Sequence, residues 1–273
     1  MGEVVRMPID VPTLATVAFI ASHLSSGGTV LEVGCGEGRV ALDLLNRGYQ
    51  VIGVDSDQEV IARAKERGVP AVQASWPEFG TDPLDGVVFT RSLHHIAPLR
   101  RAIRNAREVL RPRGMLLVED FAFDEADEAT ITWFLEVLGS QTAEAIIAPV
   151  PGEFVTALLG SKDPFAVWHQ SHDHQLHTTA AMTQAIAEYF IIQETQRVPY
   201  LYRYLVPVLP ETLQATVFVE GVVREEARLG ERGAIVLVGR RIVGVAREVT
   251  SLNAAWSRRA GDFILRLFSS RLG

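Results

Sequence analysis

Ten residues constrain the fold of this chain more than any others: Val30-Leu31-Glu32-Val33-Gly34-Cys35-Gly36-Glu37-Gly38-Arg39. They read as a short apolar strand, a turn with glycine at alternate positions, and the start of a helix near Arg39. Alternating glycines allow a sharp turn and a close approach of backbone to ligand, because no Cβ intervenes. The helix that follows begins with unpaired N–H groups and a partial positive charge, which suits a carboxylate or phosphate. Glycine loops of this kind also occur in nicotinamide and flavin sites and in ordinary turns, so a second feature is needed. It lies one strand further on. Val51-Ile52-Gly53-Val54-Asp55 is another apolar strand ending in an acid. It comes about twenty residues after the loop, where a carboxylate can accept both hydroxyls of a ribose.

Glu32-Val33-Gly34-Cys35-Gly36-Glu37-Gly38 resembles the E/D-x-G-x-G-x-G motif of class I S-adenosylmethionine-dependent methyltransferases. A dinucleotide oxidoreductase prefers G-x-G-x-x-G, and the third glycine here stands elsewhere. Asp55 matches the family's acid after the second strand, and the stretch Leu84 to Ile96, with His94-His95, is similar to its fourth-strand motif. Arg107 to Val118, through Arg111-Pro112-Arg113-Gly114, resembles the segment that introduces its fifth strand. By pattern the chain looks like small-molecule methyltransferases of the ubiquinone/menaquinone C-methyltransferase type. The resemblance implies an α/β, Rossmann-like sheet of seven mostly parallel strands, with helices on both faces and an antiparallel last strand. It also implies S-adenosylmethionine as cofactor and S-adenosylhomocysteine as product.

Carried over residue by residue, Glu32 and Cys35 of the motif count among the cofactor-binding residues, and Gly34, Gly36 and Gly38 admit the methionine end of that cofactor. Its carboxylate meets Arg39 or the helix N-terminus. Asp55 takes the ribose diol, Ser56 beside it counts as cofactor-binding, and Thr90 and Arg91 touch the methionine amino group through backbone atoms. Relatives commonly have an acid where Ser75 stands, bonding the adenine amino group; Ser75 offers an uncharged hydrogen bond only. Trp76 either stacks on adenine or packs under the sheet edge.

Composition narrows the partners. A formal charge of −7 and 22% charged residues argue against a nucleic-acid partner, which would need a net basic face. The arginines concentrated between Arg100 and Arg113 fit a solvated helix face. One cysteine excludes an internal disulfide and fits a reducing compartment. With no signal pattern and no long apolar run, a cytoplasmic protein without a membrane partner is expected, as monomer or homodimer.

Further along, the periodicity predicts a helix over 12–24, strands at 71–74, 85–90 and 115–120, and a helix at 98–110. A methyltransferase domain over 1–245 is expected, with residues 122–177 inserted after the fifth strand as a helical lid. The insertion is too long for an ordinary connection, and such segments are usually lids or binding elements. Pieces at 129–138, 141–147 and 152–159 read as helical, and Pro164 as an interruption. A helix through Ala187, a strand near 189–198, a helix at 211–229 and a last strand at 233–238 follow. Residues 246–273 read as an amphipathic helical extension, a packing or dimer element.

An oxygen or nitrogen acceptor needs a general base, for which His94, His95, His172 and Glu119 are candidates; an activated carbon acceptor needs only positioning. His169, His172, His174 and His177, with Asp173 among them, admit three readings: a metal site, substrate contact with acid–base work, or helix capping. No metal is assigned. Two functions are carried forward: methyl transfer to a small-molecule acceptor, and a non-catalytic cofactor-binding regulator or assembly partner of the same fold.

Overall fold

The computed structural model describes residues 7–147, 152–172 and 176–247. His174, Asp173 and the 248–273 part of the C-terminal extension lie outside the described residues. In chain order the elements are α1 (Asp10–Ala21), β1 (Thr29–Val33), α2 (Arg39–Asn46), β2 (Gln50–Asp55), α3 (Gln58–Glu66), β3 (Ala71–Gln73), β4 (Leu84–Thr90), α4 (Leu99–Glu108) and β5 (Leu110–Phe121). Then come α5 (Glu128–Leu138), α6 (Gln141–Ile146), α7 (Glu153–Gly160), α8 (Pro164–His172), α9 (Thr179–Tyr189), β6 (Phe190–Val198), α10 (Leu213–Glu231) and β7 (Gly239–Ala246). The seven strands form one sheet in the order β3-β2-β1-β4-β5-β7-β6. The β1 strand lies parallel between β2 and β4, with Val30 opposite Val51 on one side and Gly86 on the other. The sheet closes with antiparallel pairing at its β7 end.

The chain divides into two compact units. Of the described residues, the sheet unit takes in 16–120, 180–195 and 241–247. Its strands are apolar almost throughout because both faces are covered. Alternation sorts the side chains: Leu31 and Val33 of β1 join Val87, Phe89 and Ile103 in one core, while Val30 joins Val17, Ala41 and Leu44 in another. Asp57 caps α3, accepting from Glu59 N at 2.7 Å, as its position before the helix predicts. Glu37, between two loop glycines, receives Arg63 Nε at 2.9 Å and Arg67 Nη2 at 3.0 Å from α3.

Of the described residues, the insertion unit takes in 7–15, 121–147, 152–172, 176–179 and 196–240, around its own core of Phe134, Leu158, Trp168, Leu201 and Val219. Asp127 and Thr212 cap α5 and α10. Pro164 starts α8 rather than interrupting the chain: at the first helical position a missing N–H costs nothing and the fixed φ suits the helix. Glu226 of α10 is fully buried, and its carboxylate accepts backbone N–H groups of Tyr200 at 2.7 Å, Leu201 at 3.0 Å and Tyr202 at 3.4 Å. Burial pushes its pKa up to about 7, against the pull of those three amides and of Arg203.

The last strand corrects the sequence reading. It is Gly239–Ala246, not 233–238. The apolar run before it supplies buried side chains at Ile235 and Val238 while its backbone bonds elsewhere, Val236 N donating to Thr130 Oγ1 at 2.8 Å. Arg240 and Arg241 disguise the true strand. Arg240 is buried against Glu125, and Arg241 donates to Glu119 Oε2 from Nε at 2.7 Å and Nη2 at 2.6 Å. Among the described residues no helix is long and apolar enough to cross a membrane.

Candidate active site

A cavity of about 510 Å³ opens at the carboxyl ends of β1, β2 and β4, where ligands sit in open α/β sheets. The glycine loop forms one side. Gly34 has φ +72°, and a Cβ there would stand 2.4 Å from Ser92 Cβ, so only glycine lets the loop pass beneath the turn after β4. Both Gly34 N and Cys35 N donate to Val54 O, at 2.8 and 3.1 Å, which ties the loop to β2. Asp55 ends β2 and locks the loop from the other direction. Its Oδ2 accepts Gly36 N at 3.0 Å and its Oδ1 accepts Asp57 N at 3.0 Å. Each oxygen keeps acceptor capacity on the cavity side.

Of the residues singled out in the sequence, Gly34, Asp55, Ser56, Ser75, Trp76, Arg91 and His95 line this cavity. Glu32, Cys35, Gly36, Gly38, Arg39 and Thr90 stand behind or beside it. Gly36 has φ +52° and open space where a Cβ would go. Gly38 precedes α2, of which Arg39 is the first residue. Cys35 is buried, and burial next to Glu32 and Asp55 pushes its thiol well above the ordinary range, so it stays neutral. Glu32 is 1% exposed; Oε1 accepts Thr90 Oγ1 at 2.7 Å and Oε2 has no partner of normal hydrogen-bond geometry. Burial raises its pKa to about 7, while Thr90, the Arg91 charge and the Ala41 amide pull the other way.

Trp76 is a core side chain that also walls the cavity. Its Nε1 donates to Ala102 O at 3.1 Å and its ring meets Phe89 edge-on at 6.1 Å. Ser75 is exposed beside it. On the opposite side Arg91 takes φ 59°, a left-handed turn at the end of β4, with its N–H donating to Glu119 O at 2.7 Å. That turn directs Ser92, Ile96 and Ala97 into the lining, none of which the sequence singled out. Ser92 Oγ donates to Val33 O at 2.5 Å, bridging the two walls.

The four candidate bases part company. His95 is exposed and lines the cavity. His94 is buried, with Nδ1 2.6 Å from Asp120 Oδ1 and its ring 4.0 Å from that of His95. Glu119 is 1% exposed and committed to Thr16 Oγ1 at 2.5 Å and to Arg241. His172 belongs to the insertion unit. Its Nδ1 bonds Trp168 O at 2.6 Å, and because a carbonyl only accepts, Nδ1 carries the proton and Nε2 accepts from Tyr204 Oη at 3.0 Å. Rings of Phe121, Phe123, Phe154 and Trp168 surround it. His169 and His172 sit on α8 rather than in a loop, and among the described residues no three metal-ligating side chains converge.

The cavity's donors and acceptors fit a nucleoside carrying an amino acid. Around one space stand the carboxylate of Asp55, the glycine loop at Gly34 and the turn at Arg91. An uncharacterized methyltransferase of Oceanobacillus iheyensis is 34% identical over 37% of this chain and 50% of its own. The ubiquinone biosynthesis O-methyltransferase of Rickettsia conorii is 31% identical over 45% of this chain and 42% of its own. The chain thus spans about half the length of the curated relatives it matches. A solved structure of an S-adenosylmethionine-dependent methyltransferase from Mesorhizobium loti superposes with a TM-score of 0.53 at 12% identity, covering 87% of this chain and 99% of that one, which is a likeness of fold. A family profile described as a methyltransferase domain matches residues 12–149, about half of the chain. The glycine loop, Asp55 and the turn after β4 all fall inside that match, and the chain belongs to this methyltransferase domain family.

Proposed function

We propose that the protein transfers a methyl group from S-adenosylmethionine to a small-molecule acceptor by in-line displacement. The observation that carries this reading is the cavity at the strand ends, where Gly34, Asp55 and Arg91 converge within the family match. Bound there, the cofactor supplies an electrophilic methyl group on a sulfonium. Asp55 accepts from the ribose hydroxyls while its backbone bonds keep the carboxylate fixed. Ser56 borders the ribose, and Ser75 and Trp76 bracket the base, the indole offering a face held rigid by its bond to Ala102. Glu32, Thr90 and Arg91 hold the methionine end. For an acceptor with a proton to lose, His95 is the imidazole in reach of the cavity, while His94, held by Asp120, supports it. Residues 122–177 form the acceptor-selecting insertion in this reading.

Titration calorimetry with S-adenosylmethionine and with NADH, on the wild type and on Asp55→Ala, tests the proposal. Binding of the first ligand alone, weakened at least about tenfold by the substitution, is expected from loss of a charge-assisted pair of hydrogen bonds. No binding of S-adenosylmethionine by the wild type would sink the reading.

A further inference from the structure

We propose that Glu32 is a charge sensor behind the cofactor site: it holds a proton in the ligand-free protein and releases it to solvent when the cationic methionine end of S-adenosylmethionine binds. The inference rests on the cofactor reading above and goes beyond it by assigning a proton to one atom.

Geometry carries it first. Glu32 is 1% exposed, one residue before Val33 and Gly34, both of which line the cavity. One of its oxygens is served by Thr90, and the other, Oε2, has no partner of normal geometry. A buried carboxylate held by one hydroxyl at normal distance and by one poorly placed amide is costly, and a neutral carboxyl group is the cheaper form.

The surroundings leave that balance poised. The two charges that act on Glu32 through space, Arg91 and Asp55, both line the cavity and oppose each other. Cys35 stays a neutral thiol, and Glu119, paired in register with Thr90, is neutralised by Arg241. From α2 only the Ala41 amide reaches it. A cation arriving in the cavity therefore tips the group to its ionised form. With a pKa of about 7 before binding, about half of the ligand-free molecules carry the proton at neutral pH.

The test is titration of the full chain with S-adenosylmethionine at pH 6, 7 and 8, in buffers of different ionisation enthalpy, for wild type and Glu32→Gln. Relative to the variant, the wild type should release roughly 0.9, 0.5 and 0.1 proton, and its affinity should gain roughly tenfold from pH 6 to pH 8. The difference between the two proteins isolates the protons whose release depends on the Glu32 carboxyl. Equal proton counts in both proteins, with binding intact, overturn the proposal. Failure of the wild type to bind overturns the cofactor reading itself. Should Glu32→Gln not fold, infrared difference spectra of the wild type with labelled glutamate decide. Loss of a protonated-carboxyl band on adding S-adenosylmethionine supports the sensor, and an unchanged band refutes it.

Discussion

Replacing Glu226 by glutamine should remove a pH-dependent weakness from the insertion unit. The folded chain holds this carboxyl at a pKa of about 7, against an ordinary value of 4.5, because burial penalises the charged form more than three backbone amides favour it. Between those two values the folded state binds a proton that the unfolded state has released, so stability falls as pH rises through the window. Integrated from pH 5 to pH 8, a shift from 4.5 to about 7 amounts to roughly 2–3 kcal/mol. Glutamine retains one oxygen for the close amides of Tyr200 and Leu201, loses only the longer contact at 3.4 Å, and does not titrate. The stability difference between wild type and Glu226→Gln should therefore move by roughly 2–3 kcal/mol in favour of the variant between pH 5 and pH 8. Urea unfolding followed by tryptophan fluorescence at four pH values in that range measures it. The raised Glu32 contributes equally to both proteins and drops out of the difference. A gap that stays constant to within about 0.5 kcal/mol would refute the reasoning, since that is the scatter expected of an uncoupled substitution.

Arg241→Met should destabilise the sheet unit by about 3–5 kcal/mol, because it removes the guanidinium that neutralises the buried Glu119; adding Glu119→Gln should restore most of the loss in a thermal or urea melt. Gly34→Ala meets both a left-handed φ and a 2.4 Å contact with Ser92. It should cost about 1–2 kcal/mol from the backbone term alone and lower S-adenosylmethionine affinity by at least about tenfold in calorimetry.

Most of the frame of the site was legible in the sequence because it depends on local chemistry. Glycine at positions 34, 36 and 38 takes positive φ in each case, and Asp55 falls at the end of its strand facing the loop. The parts that escaped depend on partners far away in sequence. Ser92, Ile96 and Ala97 enter the lining through a backbone turn at Arg91, which leaves no periodic trace. Residues 233–238 are more apolar than the true last strand, whose arginines belong there only because Glu125 and Glu119 wait for them. The histidine cluster attracted chemistry on paper, yet His172 spends both ring nitrogens on Trp168 and Tyr204. Glu226 gave no signal either. An acid in a long helix reads as solvent-facing until three amides are found around it.

Arg240 and Arg241 also act as a register key for β7. Neighbouring residues of a strand point to opposite faces, and here each of two neighbours meets its own carboxylate, Glu125 for one and Glu119 for the other. Sliding the strand by one residue would exchange the faces and take both arginines away from the carboxylates they now meet. The pair therefore reads the length of the connection after α10. Inserting or deleting one residue between Gly233 and Gly239 would be recorded as a charge mismatch, and a change in that connection is tolerated only where the strand can return to the same step.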